Sequence, residues 1–192
     1  MKVYFTSTIK AKKKLEENFK LIYKTIEDLG YKNVTDFLLK VDPEKFYSRS
    51  SHVAEEHYEE MFRQIKNSDV VVFEASVHSL GMGYLVNLVL EMGKPVILLH
   101  TKESSPFLFK FIKNEKLQIL EYSGGDLKEI LQDALEEAKQ MMSVRFTFFV
   151  TPKIIHFLDW VAKKKKEPRA VYIRKLIEKA IKSENYKDTS PF

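Results

Sequence analysis

The sequence predicts an α/β fold in which a mainly parallel sheet carries helices on both faces, followed by a small C-terminal module of one strand and two helices. Two observations lead to this prediction. Short apolar runs alternate with amphipathic helical patterns through residue 142. Strands that alternate with helices pair in parallel and are covered on both faces. After residue 142 the alternation stops and the chain becomes strongly basic.

Continuous apolar runs identify the strands of the first part. A strand buried on both faces carries such a run rather than an alternating pattern, and Val70-Val71-Val72-Phe73 is the clearest case. The predicted strands are residues 2–6, 33–39, 70–75, 95–100 and 117–122.

Helices are predicted where apolar residues recur at steps of three and four. The first has Leu15, Phe19, Ile22, Ile26 and Leu29 on one face. Gly30 ends it, because glycine commonly follows the last helical residue. The other helices of this part are predicted over residues 53–66, 81–92 and 126–142. Residues 41–51 are polar and rich in turn formers, so we expect a loop there that could cover a site.

Composition excludes several classes of protein. The 192 residues suit one medium domain and a small one, and the absence of cysteine excludes disulfides and thiolate metal sites. No apolar run is long enough to span a bilayer, and the first residues lack a signal-peptide pattern. We therefore expect a cytoplasmic protein with no membrane partner. The five histidines show no metal-ligand spacing, so neither a metal nor a cofactor is predicted.

Charge is distributed unevenly along the chain. Residues 1–143 hold 20 basic and 22 acidic residues, whereas residues 144–192 hold 12 basic and 5 acidic residues. The C-terminal quarter thus carries a net charge of +7, against −2 for the rest. This asymmetry indicates a polyanionic partner for the C-terminal part. The alternative is a solvated, lysine-rich surface.

The turn Ser79-Leu80-Gly81-Met82-Gly83 lies between a predicted strand and a predicted helix. Such a turn leaves backbone N–H groups free beside the positive end of the helix dipole, and this arrangement suits a phosphate. The alternative is a tight turn without a ligand. In parallel sheets, ligands bind beyond the carboxyl ends of the strands, so residues 7–8 should approach this turn.

Two segments resemble the 2'-deoxynucleoside 5'-phosphate N-hydrolases, relatives of the nucleoside 2-deoxyribosyltransferases. They are residues 4–10 (YFTSTIK) and residues 69–84, which end in SLGMGY. The resemblance covers residues 1–142 and implies a Rossmann-like domain that binds a nucleoside 5'-monophosphate or a similar small phosphate ligand. The ligand-binding residues that it implies are Tyr4, Ser7, Thr8, Ile9, Lys10, Ser79, Gly81 and Gly83.

Leu85 departs from the family pattern, in which this position is a glutamate that attacks or stabilises the anomeric carbon of the sugar. Leucine can do neither, so the resemblance implies a domain without its catalytic carboxylate. On the preceding helix, Met61 stands where the family carries an aspartate. A relocated carboxylate is the alternative, with Glu60 and Glu74 as candidates.

Residues 144–183 resemble the ribbon-helix-helix DNA-binding proteins, with a strand over 145–150 and helices over 152–164 and 169–182. In that family two strands pair across a dimer and enter the major groove. Phe149 departs from the polar residue usual at its position. The predicted domains are residues 1–142 and 143–183, with a flexible tail over 184–192. The DNA-binding residues that the resemblance implies are Arg145, Thr147, Phe149, Lys166 and Arg169.

Together these patterns predict a DNA-binding, nucleotide-sensing regulator with a catalytically silent domain. Its expected partners are a nucleoside 5'-monophosphate, double-stranded DNA and further copies of the chain, as a dimer or tetramer. The alternative is a nucleoside 2-deoxyribosyltransferase or deoxynucleotide N-glycosidase with a relocated carboxylate. A third possibility is an antitoxin-like or scaffold role, in which the C-terminal module binds another protein.

Overall fold

The computed structural model describes residues 1–48, 50–141, 148–165 and 168–184. The strands are β1 (Lys2–Ser7), β2 (Lys32–Asn33), β3 (Val70–Glu74), β4 (Val96–His100) and β5 (Leu117–Glu121). The first four helices are α1 (Lys12–Asp28), α2 (Phe37–Lys40), α3 (Pro43–Tyr47) and α4 (Ser51–Asn67). The remaining helices are α5 (Leu80–Glu91), α6 (Leu127–Gln140), α7 (Pro152–Lys165) and α8 (Arg169–Ser183). Single 3₁₀ turns occupy Ile9–Ala11 and Phe107–Phe111.

The five strands form one sheet in the order β2-β1-β3-β4-β5, and every neighbouring pair is parallel. The α/β prediction with a parallel sheet is therefore confirmed. Because β1 has β2 on one side and β3 on the other, the chain leaves the carboxyl end of β1 in one direction and that of β3 in the other. Open parallel sheets bind ligands at such a point.

The two faces of the sheet bury separate apolar cores, since successive strand residues point to opposite faces. On one face, Val70 and Val72 of β3 lie in the core with the apolar stripes of α1 and α6. On the other face, Val71 and Phe73 lie in the core with those of α4 and α5. Helices thus cover both faces, as predicted.

Two of the predicted elements differ from those observed. The strand predicted over residues 33–39 shortens to β2, because the chain leaves the sheet edge after Asn33 and forms α2. The loop predicted over residues 41–51 contains α3. Asp42 caps this helix, since its Oδ1 accepts from the backbone N–H groups of Glu44 at 2.9 Å and Lys45 at 3.3 Å.

The chain divides into two compact units, Met1–Val144 and Arg145–Phe192. In the second unit, the described part of the strand predicted over residues 145–150 is not a strand, because Phe148, Phe149 and Val150 lie outside any regular element. A β-ribbon needs two paired strands, and in the predicted dimer the partner strand belongs to a second copy of the chain. Phe148 is 53% exposed.

The other described residues of the second unit include α7 and α8, and few of their side chains are buried. Leu158 and Val161 of α7 are buried, but α8 buries none of its residues. Arg145, Thr147 and Lys166, three of the expected DNA-binding residues, lie outside the described residues. Of the other two, Phe149 is fully exposed, and Arg169 forms an ion pair with Asp159.

Candidate functional site

A cavity of about 300 Å³ lies at the carboxyl ends of β1 and β3. The strands contribute Tyr4, Thr6, Ser7 and Phe73 to its lining. The other lining residues come from the loop after β1, from α2 to α4, and from the start of α5. They are Thr8, Ile9, Phe37, Phe46, Tyr47, Ala54, His57, Tyr58, Met61, Ser79, Gly81, Met82 and Leu85.

The structure brings most of the expected ligand-binding residues together around this cavity. Six of the eight line it, namely Tyr4, Ser7, Thr8, Ile9, Ser79 and Gly81. Lys10 does not, because it lies exposed on the 3₁₀ turn that follows Thr8. Gly83 does not line it either. Gly83 follows Met82, which is already buried in α5. The Gly83 N–H donates to the Ser79 carbonyl at 3.2 Å, as the first bond within this helix.

Two helical N-termini point toward one end of the cavity. Ser79 caps α5, with its Oγ accepting from the Met82 N–H at 3.3 Å. Thr8 precedes the 3₁₀ turn in extended conformation, and its carbonyl accepts from the Ala11 N–H at 2.9 Å. The first N–H groups of a helix lack partners within that helix, and the helix dipole favours negative charge there. This end of the cavity therefore combines backbone donors with the hydroxyls of Ser7, Thr8 and Ser79.

Aromatic rings form another wall of the cavity. The Phe37 ring lies 4.4 Å from the His57 ring between centroids, and the Phe46 ring lies 5.3 Å from it. The sequence analysis did not identify these residues. Of the three, only Phe46 lies within residues 41–51, the loop that was expected to cover a site. Flat rings of this kind can stack on a planar ligand.

A buried lysine holds the segment that carries this aromatic wall. Lys12, near the start of α1, donates from Nζ to the Leu39 carbonyl at 2.8 Å and to the Val41 carbonyl at 2.6 Å. These carbonyls lie at the end of α2 and just before α3. Because a buried ammonium needs such partners, the two bonds fix the approach of this segment to the cavity.

Tyr4 presents a phenol that stays protonated. Burial raises the pKa of its hydroxyl to about 12, a hydrogen bond with Thr6 lowers it in part, and the negative charge of Glu60 raises it further. The hydroxyl is therefore available as a hydrogen-bond donor throughout the neutral pH range. The interaction also shows that the Glu60 carboxylate lies within electrostatic range of a residue in the cavity lining.

Among the described residues that line the cavity, none is Asp or Glu. Leu85 and Met61, the two positions at which the sequence resemblance implies carboxylates in the family, both line it. Glu60 is adjacent to Met61 on α4 and half-exposed, and its carboxylate accepts from Gln64 Nε2 at 2.7 Å and from Arg63. A different rotamer would be needed for Glu60 to enter the cavity.

Glu74, the other carboxylate considered from the sequence, points away from the cavity. Phe73 lines the cavity, and Glu74 follows it on the strand, so its side chain lies on the opposite face of the sheet. It is completely buried, and burial raises the pKa of its carboxyl above the ordinary value of 4.5. Glu74 therefore cannot reach a sugar bound in the cavity.

The described part of the chain contains neither a metal-binding group of side chains nor a helix suited to span a membrane. Within it, no group of three or more His, Cys, Asp or Glu side chains has the geometry to hold a metal ion. The same residues include no helix with the length and apolar character that crossing a bilayer requires.

Comparison with known proteins gives two relatives in sequence, while no family model matches the chain. A Thermofilum pendens protein named as 2'-deoxynucleoside 5'-phosphate N-hydrolase 1 is 29% identical over 149 residues, covering 74% of this chain and 95% of the relative. The 5-hydroxymethyl-dUMP N-hydrolase of Rattus norvegicus is 23% identical over 138 residues, covering 70% and 84%. Among solved structures, the CMP N-glycosidase of Clostridium botulinum matches with a TM-score of 0.48 and 15% identity, covering 68% of this chain and 98% of that one.

These names correct the function predicted from the sequence. Both sequence relatives are named as N-hydrolases, and neither name describes a DNA-binding protein. The prediction of a transcriptional regulator with a catalytically silent domain is therefore wrong, and the alternative of an N-glycosidase agrees better with the relatives. The C-terminal charge that motivated the regulator is a property of composition, which does not identify a partner.

The two matches cover most of the length of each relative. By sequence, this chain is similar to two proteins that are named as N-hydrolases of nucleoside 5'-monophosphates.

Proposed function

We propose that the chain binds a nucleoside 5'-monophosphate in the cavity and hydrolyses its N-glycosidic bond. The observation that carries this proposal is that the hydroxyl-bearing turns around Ser7, Thr8 and Ser79 line the same cavity as the aromatic wall. The names of the two relatives, which refer to a 2'-deoxynucleoside 5'-phosphate and to 5-hydroxymethyl-dUMP, support the same substrate class.

The two ends of the cavity orient the substrate. The phosphate lies against the N-termini of α5 and the 3₁₀ turn, where N–H groups and hydroxyls accommodate its charge. The base stacks between Phe37, Phe46 and His57. The sugar then lies between these ends, over Leu85 and Met61, with the Tyr4 hydroxyl near enough to donate to one of its oxygens.

Hydrolysis breaks the bond between the anomeric carbon and the base nitrogen. As this bond lengthens, positive charge develops on the sugar, the base leaves with the bonding electrons, and water adds its oxygen to the anomeric carbon. One proton of the water finally resides on the released base. A negative charge near the sugar lowers the barrier. We assign this role to Glu60, which is adjacent to Met61 of the cavity lining on α4 and reaches the sugar by a change of rotamer.

Incubation with a panel of nucleotides tests both parts of the proposal. The panel contains the common 2'-deoxynucleoside 5'-monophosphates and 5-hydroxymethyl-dUMP, with release of free base followed by chromatography and binding followed by calorimetry. Glu60→Gln should lower turnover about 100-fold without changing affinity. Glu129→Gln, a matched change at an exposed position on α6, should leave both unchanged. Binding without any release of base refutes the hydrolase part, and the absence of both refutes the whole proposal.

For the C-terminal unit, Arg145–Phe192, we propose pairing with the same unit of a second copy. Leu176, Ile177 and Ile181 of α8 are 47%, 54% and 44% exposed, so this helix carries an apolar face that its own unit leaves uncovered. Light scattering should show Ile177→Glu shifting the protein to a smaller species, whereas Lys179→Glu on the same helix should not. A single species of monomer mass for the unaltered chain contradicts the pairing.

A further inference from the structure

Glu74 lies at the centre of a buried polar network that the proposed hydrolysis does not use. Its Oε1 accepts from the Ser76 N–H at 3.3 Å, from the Ser76 hydroxyl, and from the Tyr122 hydroxyl at 3.4 Å. The other four residues of β3 are all apolar and buried. A buried carboxylate costs free energy that valine or phenylalanine at this position would not cost.

The network connects the carboxyl ends of four strands. The Ser7 hydroxyl at the end of β1 donates to the Glu74 carbonyl at 2.7 Å. The Thr101 N–H, directly after β4, donates to the Ser76 hydroxyl oxygen at 2.8 Å. Tyr122 follows β5, and its hydroxyl in turn accepts from Asn18 of α1 at 3.0 Å. The loop after β3 is thereby held against its neighbours on both sides.

The same loop leads into the phosphate end of the cavity. Ser76 lies three residues before Ser79, which caps α5 and lines the cavity. The Ser104 hydroxyl donates to the Ser76 carbonyl and holds this residue from a second direction. The position of Ser76 thus determines where the chain between it and Ser79 can run, and Ser7, tied to the Glu74 backbone, also lines the cavity.

We propose that Glu74 is a positioning residue for the phosphate end of the cavity, which acts through Ser76 on the N-terminus of α5 from the opposite face of the sheet. This inference rests on the proposed function, since it assumes that a phosphate binds there. Glu74 itself does not touch the substrate. The carboxylate is needed as a hydrogen-bond acceptor, and Oε2, which has no partner among the described residues, takes no part.

Two substitutions separate the acceptor from the charge. Glu74→Gln keeps an oxygen that can accept from Ser76, whereas Glu74→Leu removes the acceptor at similar size. Val72→Ala is the matched control, because Val72 is buried on the same strand and the same face but lies away from the loop. It lowers stability without altering the phosphate end. Ser76→Ala removes the hydrogen bond from the Ser76 hydroxyl to Glu74 with little change in volume. It provides the same test if Glu74→Leu does not fold.

The measurement compares each panel nucleotide that binds with its nucleoside, which lacks the phosphate. Glu74→Leu and Ser76→Ala should weaken nucleotide binding about 10- to 100-fold while leaving nucleoside binding unchanged, since a displacement near 1 Å has effects of that size. Glu74→Gln should behave like the unaltered protein. Equal losses for nucleotide and nucleoside, or no loss in either variant, overturn the inference.

Hydrogen exchange tests the inference without any ligand. Amides of residues 76–82 should exchange faster in Glu74→Leu than in Val72→Ala at matched stability, and unchanged exchange overturns the positioning role. If the unaltered chain binds no nucleotide, the proposed function fails, but this comparison still decides the structural role of Glu74.

Discussion

Replacing Leu85 by glutamate places a carboxylate in the cavity at the position where the sequence resemblance implies a catalytic carboxylate. Leu85 is half-buried and packs against the core between the sheet and α5. Full burial of a leucine side chain stabilises by about 1.5–3 kcal/mol, so the loss of half of that costs about 1 kcal/mol. Because this position is only half-buried, a glutamate there can keep its carboxylate in contact with water, so the variant should fold.

The gain in rate should be much larger than this cost. A correctly placed group that stabilises charge in the transition state contributes about 3–4 kcal/mol, equivalent to a 100- to 1000-fold increase in rate. Leu85→Glu should therefore release free base from deoxynucleoside monophosphates at least about 100-fold faster than the unaltered chain. Leu85→Gln has the same reach without the charge, and it should show no such gain.

Single-turnover release of base, measured by chromatography with excess protein, separates the chemical step from binding and product release. Calorimetry on the same samples verifies that the variants still bind nucleotide. A Leu85→Glu protein that binds nucleotide but releases base no faster than Leu85→Gln would falsify the assignment of this cavity as the site of glycosidic cleavage.

Three further predictions follow from individual contacts. Ser79→Ala removes the cap of α5 and a hydroxyl at the phosphate end of the cavity. It should lower the free energy of unfolding by about 1 kcal/mol in urea titrations. It should also weaken nucleotide binding more than nucleoside binding, and equal weakening contradicts the phosphate assignment. Burial raises the pKa of Glu74, so the folded state holds this proton more tightly than the unfolded state does. Stability should therefore fall as pH rises from about 4.5 through the folded-state pKa, by at most about 1.4 kcal/mol per pH unit, and Glu74→Gln should remove that slope in urea titrations between pH 4 and 8. Lys12→Met leaves the carbonyls of Leu39 and Val41 without their donor, so it should lower the free energy of unfolding by about 1–3 kcal/mol. It should also increase proteolytic cleavage within residues 36–48. Cleavage equal to that of the unaltered chain contradicts this role of Lys12.

Much of the first unit follows from local patterns. The apolar run of β3 and the three-and-four spacing along α1 can each be recognised in a short stretch of sequence. Gly30 ends α1 with a φ of 80°, a conformation that glycine adopts readily. The element that failed, the strand over residues 33–39, is short and lies at the edge of the sheet. There, tertiary contacts decide between strand and helix more strongly than local preference does.

Some of the cavity residues could be identified from local sequence, and others could not. The motifs around Ser7 and Ser79 could be identified because turn chemistry at the end of a strand depends on adjacent residues, and these turns do meet in space. Phe37, Phe46 and His57 come from three different helices, and no local pattern brings them together.

The sequence by itself determined the order of the five strands and of the longer helices of the first unit, because periodicity acts over a few residues. For the same reason it determined the position of the turns that we propose bind the phosphate. Only the tertiary structure decided that Glu74 faces away from the cavity, that Lys10 lies outside it and that an aromatic wall completes it. The direction of a side chain at the end of a strand depends on the register and on which helix covers each face. Those are set by packing across the whole sheet.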